Sequence, residues 1–93
     1  MRMQFFKEGR LGPSKSVAVV AGAAGDQTVR SSPGYVAGIS VPTGVTVYFK
    51  DGTTQVSAAQ AGPFERDFSS PIRFDTSIVL NFSAAATVYV RLI

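Results

Sequence analysis

Apolar residues in this chain come in short runs that alternate with polar ones at every second position, and almost nowhere at helical spacing. In Val45-Thr46-Val47-Tyr48-Phe49 and in Thr87-Val88-Tyr89-Val90-Arg91-Leu92, alternate positions differ in polarity. That is the pattern of a strand with one face in a core and the other in water. β-Branched and aromatic residues, punctuated by Gly, Pro, Asn, Asp and Ser, mark strands at residues 3–7, 16–21, 28–32, 35–41, 45–50, 71–74, 77–82 and 87–92. Ile78-Val79-Leu80 is apolar on both faces, which predicts a central strand or one covered by a partner subunit. About eight short antiparallel strands in one domain imply a β-sandwich, jelly-roll-like, or a small barrel.

Turn chemistry predicts how these strands connect. Pro42-Thr43-Gly44 reads as a hairpin between 35–41 and 45–50, because proline presets φ and Gly44 tolerates a positive value. Ser83-Ala84-Ala85-Ala86 reads as a second hairpin, between 78–82 and 87–93, with weaker turn residues. Asp51-Gly52 is a further turn signal that folds the chain back onto 54–57. Only residues 53–62 let a helical turn compete, with Val56, Ala59 and Gln60 at helical spacing and Gly62-Pro63 as the stop.

Composition narrows the class. With 93 residues, 45% hydrophobic and 16% charged, the chain affords one core, so residues 1–93 are expected to form a single domain. Cysteine is absent, so neither disulfides nor a thiolate metal site reinforces that core, and self-association is the remaining device. A net charge of +3 is spread along the length rather than gathered into a stripe. The cations Arg2, Lys7, Arg10 and Lys15 ahead of the apolar run 17–24 imitate a secretory signal, but the run is short and Glu8 interrupts its lead-in, so no cleavage is expected. No run approaches the roughly 18 apolar residues of a membrane-spanning helix.

Chemistry is sparse. Without histidine or cysteine the chain builds no Ser-His-Asp or Cys-His centre and no zinc, copper or haem site of the usual kinds. Carboxylates remain: Glu65 and Asp67 share a face if their segment is extended, yet Arg66 stands between them, which reads as a solvated, salt-bridged edge rather than an acid/base pair. The acids are too widely spaced for a calcium loop. Ser14-Lys15-Ser16 lacks the spacing of a Ser-x-x-Lys enzyme, Gly22 and Gly25 form no phosphate loop, and the sequon Asn81-Phe82-Ser83 reads as chance at a strand end. No catalytic residue, metal or cofactor is therefore expected.

Two binding readings compete. Cations beside aromatics at Phe6-Lys7, Phe49-Lys50, Arg73-Phe74 and Tyr89 to Arg91 fit a single-stranded nucleic-acid platform. Neighbours on a strand face opposite ways, so these pairs read more simply as one residue in the core and one in water. Phe64 and Phe68 flank Glu65-Arg66-Asp67 in a proline-bracketed stretch, where large apolar groups either anchor a partner or cap the open end of a sandwich. Phe5 and Phe6 cannot both face one core, so one of them meets a neighbouring element or subunit. Phe5, Phe6, Phe64, Arg66 and Phe68 are thus the candidate interface residues.

The run Gly34-Tyr35-Val36-Ala37-Gly38-Ile39-Ser40-Val41, then Val45-Thr46-Val47-Tyr48-Phe49, Pro71-Ile72-Arg73-Phe74 and Thr87-Val88-Tyr89-Val90, resembles the small virion proteins of tailed bacteriophages. The likeness is one of style, in Val/Thr/Ala strands, Gly-rich turns and missing Cys and His, over about two-thirds of the chain. It implies a β-sandwich or jelly-roll module made in the host cytoplasm and mounted on the virion, decorating or cementing the capsid or sitting at head, collar or tail. It further implies the major capsid protein or another virion protein as partner, homo-oligomers such as trimers, and cations such as Arg2, Lys7, Arg10 and Arg30 meeting an acidic capsid surface. The alternative is a small β-domain that binds carbohydrate or single-stranded nucleic acid.

Overall fold

The computed structural model describes residues 15–93, so the expected strand at 3–7 and the candidates Phe5 and Phe6 lie outside the described residues. One tight reversal organises the architecture. Gly52, at φ 64°, turns the chain so that Asp51 pairs with Thr54 and Lys50 with Gln55, a conformation that glycine reaches without a Cβ penalty. From this tip the two arms of the chain run back along each other. β4 (Thr46–Asp51) pairs with β5 (Thr54–Gln55) and β6 (Gln60–Ala61). β3 (Gly34–Val41) pairs with β7 (Phe64–Phe74), β2 (Gly25–Arg30) with β8 (Ile78–Phe82), and β1 (Lys15–Ala21) with β9 (Ala86–Leu92).

This long antiparallel ribbon then wraps on itself. Two further pairings close it, β3 beside β9 and β4 beside β8. The result is one sheet in the order β1-β9-β3-β7 and a second in the order β2-β8-β4-β5, with β6 also on β4. An antiparallel sandwich with this wrapping is a jelly roll, and the all-β fold read from the alternation is the one observed.

Because the ribbon is rolled, both expected hairpins are corrected. β3 and β4 lie in different sheets, and so do β8 and β9. The segment 42–44, with Gly44 at φ 93°, and the alanine segment 83–85 are arches that carry the chain from one sheet to the other. Turn residues permit a reversal but do not choose the partner. Here Val41 and Val45, at 4% and 3% exposure, anchor the two feet of the first arch in the core. The Asp51-Gly52 turn does close onto the next strand as expected. The helical alternative for residues 53–62 is also corrected. Val56 N–H donates to the Phe49 carbonyl and the Ser57 hydroxyl accepts from Phe49 N–H, so the segment continues the β4 ladder.

The strand expected at 71–74 extends to eleven residues. Pro71 is tolerated because β7 is an edge strand, where a missing N–H breaks no ladder. Between the pairs Val36–Ile72 and Gly38–Asp67, residues 68–71 stand opposite Ala37 alone. The same irregularity in β3 shifts the alternation so that Val36, Ile39 and Val41 all reach the interior.

The core lies between the sheets. Phe74, Phe82, Ile78, Leu80, Val36, Val47, Val88 and Val90 are each less than 2% exposed. Phe49 and Phe74 meet edge to face at a centroid distance of 5.6 Å, the geometry that ring quadrupoles favour. β8 is central, as its doubly apolar run implies. Its outward Val79 is still only 6% exposed, between its register partners Thr28 and Lys50. At Gly62 a Cβ would overlap the Pro42 carbonyl, so the entry to β7 passes directly against the first arch.

Truncating Leu80 to alanine is expected to cost about 2–5 kcal/mol, the range for emptying a fully packed site. Gly62→Ala should also unfold the chain at markedly lower urea, whereas Thr43→Ala, on the exposed arch, should leave the urea midpoint within experimental scatter.

Candidate functional site

Several polar side chains on the outward faces of both sheets bridge strands. On the β2-β8-β4 face, Asp26 of β2 accepts from the Asn81 amide of β8 at 2.7 Å and from the Lys50 ammonium of β4 at 2.8 Å. Lys50 first, then Asn81, holds the Asp26 carboxyl below its ordinary value, and the same bond raises Lys50. At the end of β4, Asp51 accepts from the backbone N–H groups of Asp75 and Thr76, each at 2.9 Å, and of Ser77 at 3.3 Å. Those backbone donors, Asp75 first, lower the Asp51 carboxyl. The carboxylate thereby fixes the turn between β7 and β8.

A similar bridge crosses the other sheet. Arg91 of β9 reaches over β3 to Asp67 of β7, Nε to Oδ1 at 2.6 Å. Its remaining guanidinium nitrogens donate to the Ser40 hydroxyl at 3.4 Å and the Arg66 carbonyl at 3.2 Å. Gly38 is what lets the guanidinium lie flat, since a Cβ there would stand 2.6 Å from Asp67 Oδ1 and 2.7 Å from Arg91 Nε. Glu65 and Asp67 do share a face of β7, opposite Ser40 and Gly38. The bridging cation is Arg91 of another strand rather than Arg66, which alternates to the other side of β7.

The aromatic and cationic neighbours divide between core and solvent. Phe49 and Phe74 are buried, while Lys50 and Arg73 point out and pair with Asp26 and Asp75. The third such cation, Arg91, is held by Asp67. Each of these three cations therefore has an acid within ion-pairing distance.

Of the candidate interface residues, the structure brings three together. Phe64, Arg66 and Phe68 line a mostly apolar cleft of about 90 Å³ at the open edge between the sheets, with Ile39, Val47 and Phe49 behind it. Both phenylalanines are partly buried against the core, which is the capping arrangement, while Arg66 is exposed. Around the corner a shallow groove of about 390 Å³ runs between Pro42, Pro63 and Tyr89, with Ser40, Glu65 and Thr87 along it.

Sequence reasoning passed over the exposed apolar residues of the β1-β9-β3 face. Val20 is 65% exposed, Tyr89 50% and Tyr35 40%. Ala18 is the register partner of Tyr89 and Val20 that of Thr87, so Ala18, Val20 and Tyr89 form one neighbourhood. The signal was present as outward-phase apolar residues in Val17–Ala21, once Val19 and Ala21 are placed inside.

No family model, curated protein or solved structure matches this chain. Among the described residues no group of His, Cys, Asp or Glu is placed to hold a metal ion, and no helix is long and apolar enough to cross a membrane.

Two carboxyls lowered in the folded state stabilise it above their unfolded values, near pH 4, and that contribution is lost as the pH falls through the folded ones. The deficit of Asp51→Asn in thermal midpoint should therefore be largest at neutral pH and narrow below about pH 4. A deficit unchanged at low pH would show that the carboxylate charge does not hold the 75–77 turn. Gly38→Ala should displace Arg91 from Asp67 and cost about 1–3 kcal/mol by overpacking, with no added loss when Asp67→Ala is combined with it, read by urea unfolding.

Proposed function

We propose that this chain is a structural virion protein of a tailed bacteriophage, a decoration or cement module that binds the major capsid protein on the particle surface. The observation that carries the reading is a cross-braced jelly roll whose β1-β9-β3 face offers Val20, Tyr89 and Tyr35 to a partner. Exposed aromatic residues on a stiff support lose little side-chain freedom on docking and are the commonest anchors of interfaces. The resemblance of the strand and turn sequences to small virion proteins supports the same reading. Of the candidate interface residues, Phe64, Arg66 and Phe68 lie at the cleft on the other side of β7 and Phe5 and Phe6 lie outside the described residues, so the proposed contact rests on Val20, Tyr35 and Tyr89. Each copy contributes a modest interface, and particle symmetry multiplies it. The work is adhesion through shape and surface, and no bond-making step is assigned.

A second reading is favoured by the groove at Tyr89. An exposed aromatic ring beside Ser40, Thr87 and Glu65 offers a stacking surface and hydroxyl-binding groups to a sugar. In that case the chain would recognise a glycan rather than a capsid subunit.

Particles purified with and without the chain separate these readings. The chain should co-sediment with capsids, and its loss should remove density at capsid symmetry axes or between hexamers. Tyr35→Ala combined with Tyr89→Ala should lower capsid occupancy at least about tenfold, equivalent to 1.4 kcal/mol, without shifting the thermal midpoint of the free protein. Failure to co-sediment would remove the capsid reading, and density missing only at the tail would relocate the partner.

A further inference from the structure

Among the described residues four strand edges bound this sandwich, and three of them are guarded. β7 carries Glu65, Arg66, Asp67 and Arg73, contains Pro71, and is interrupted at residues 68–71. β2 is broken in register between Thr28 and Arg30 and carries Asp26 and Arg30. β5 and β6 are two residues each. Short length, charges, proline and bulges are the devices by which sheets avoid adding foreign strands.

β1 has none of them beyond Lys15 at its first position. It runs seven residues as Lys-Ser-Val-Ala-Val-Val-Ala and keeps unbroken register with β9 from Lys15–Leu92 to Ala21–Ala86. Among the described residues β9 is its only partner. Its outward Val20 is the most exposed of the large apolar residues described.

We infer that β1 is a pairing edge and that its partner is β1 of a second copy, joined antiparallel about a two-fold axis near the middle of the strand. Charge selects the antiparallel sense. A parallel pair would set Lys15 beside Lys15, whereas the antiparallel pair sends the two lysines to opposite ends. Small side chains on both faces, Ser16, Ala18 and Val20 outward and Val17, Val19 and Ala21 inward, leave room for the approach. Self-pairing also closes both unguarded edges at once, while an added foreign strand would present a new edge of its own. The two four-stranded sheets become one, and the Ala18–Val20 neighbourhoods of both copies meet at the seam. This inference stands independently of the capsid reading, since it concerns the edge and not the face.

The full-length chain should sediment as a monomer–dimer mixture over about 1 µM to 1 mM, a range that spans weak specific association. Hydrogen exchange should show amides of residues 15–21 gaining protection as concentration rises. Val20→Lys should weaken dimerisation at least about tenfold, or 1.4 kcal/mol, while Ser70→Lys on the guarded β7 edge leaves it unchanged. A monomer at every concentration overturns the inference, as does equal loss from both variants or no loss from Val20→Lys. Protection of 15–21 that is already complete in the monomer also overturns it, because another part of the same chain would then occupy the edge.

Discussion

Antiparallel pairing between the two halves of the chain, hinged at the Gly52 reversal, is the constraint on which everything else depends. Once Asp51 is set against Thr54, register extends outward through Thr46–Ala61, Gly34–Phe74, Gly25–Phe82 and Lys15–Leu92. A flat ribbon of this length would leave one apolar face in water. Rolling it brings β3 against β9 and β4 against β8, and the two apolar faces then bury each other. The interior is entirely hydrophobic among the described residues, with no buried polar or charged side chain to satisfy.

Polar chemistry is instead spent on the outside, where it ties strands together. Asp26, Asn81 and Lys50 cross three strands of one sheet, and Arg91 crosses Gly38 to reach Asp67 on the other. These bridges are exposed at one end, with Asp67 80% accessible, so each contributes little energy alone. Their effect is to orient strands and to fix which side chains share a face. With Lys50, Arg73 and Arg91 each paired to an acid, the proposed contact falls to the outward tyrosines and not to these cations.

A jelly roll hosts many functions, so the fold by itself argues for none of them. What distinguishes this one among the described residues is the exposure of Val20, Tyr35 and Tyr89 on β1-β9-β3 and the unbroken register of the edge strand β1. Both belong to the same corner of the molecule. The proposed docking face and the proposed self-pairing edge are compatible in one assembly, since the first uses side chains and the second main-chain groups.

Local periodicity carried the all-β class, the strands centred on Val47, Leu80 and Val88, the core identity of Phe49 and Phe74, and the reversal at Asp51-Gly52. Each of these rests on residues within one strand or one turn, where alternation and φ preference act directly. Partner choice was not legible in the same way. Pro42-Thr43-Gly44 serves a hairpin or an arch equally well, and only the burial of Val41, at the end of β3, and of Val45, just ahead of β4 in the other sheet, selects the arch. The polar stretch of β7 was missed because an exposed edge strand needs no alternation, and its strand state comes from hydrogen bonds to β3. The same distinction governs the surface. Phe64, Arg66 and Phe68 could be grouped by eye, yet the bridge from Arg91 over Gly38 to Asp67 joins residues 24 positions apart. Contacts of that span exist only after the ribbon has rolled, because closing them depends on which strands become neighbours and not on any local preference of the residues involved.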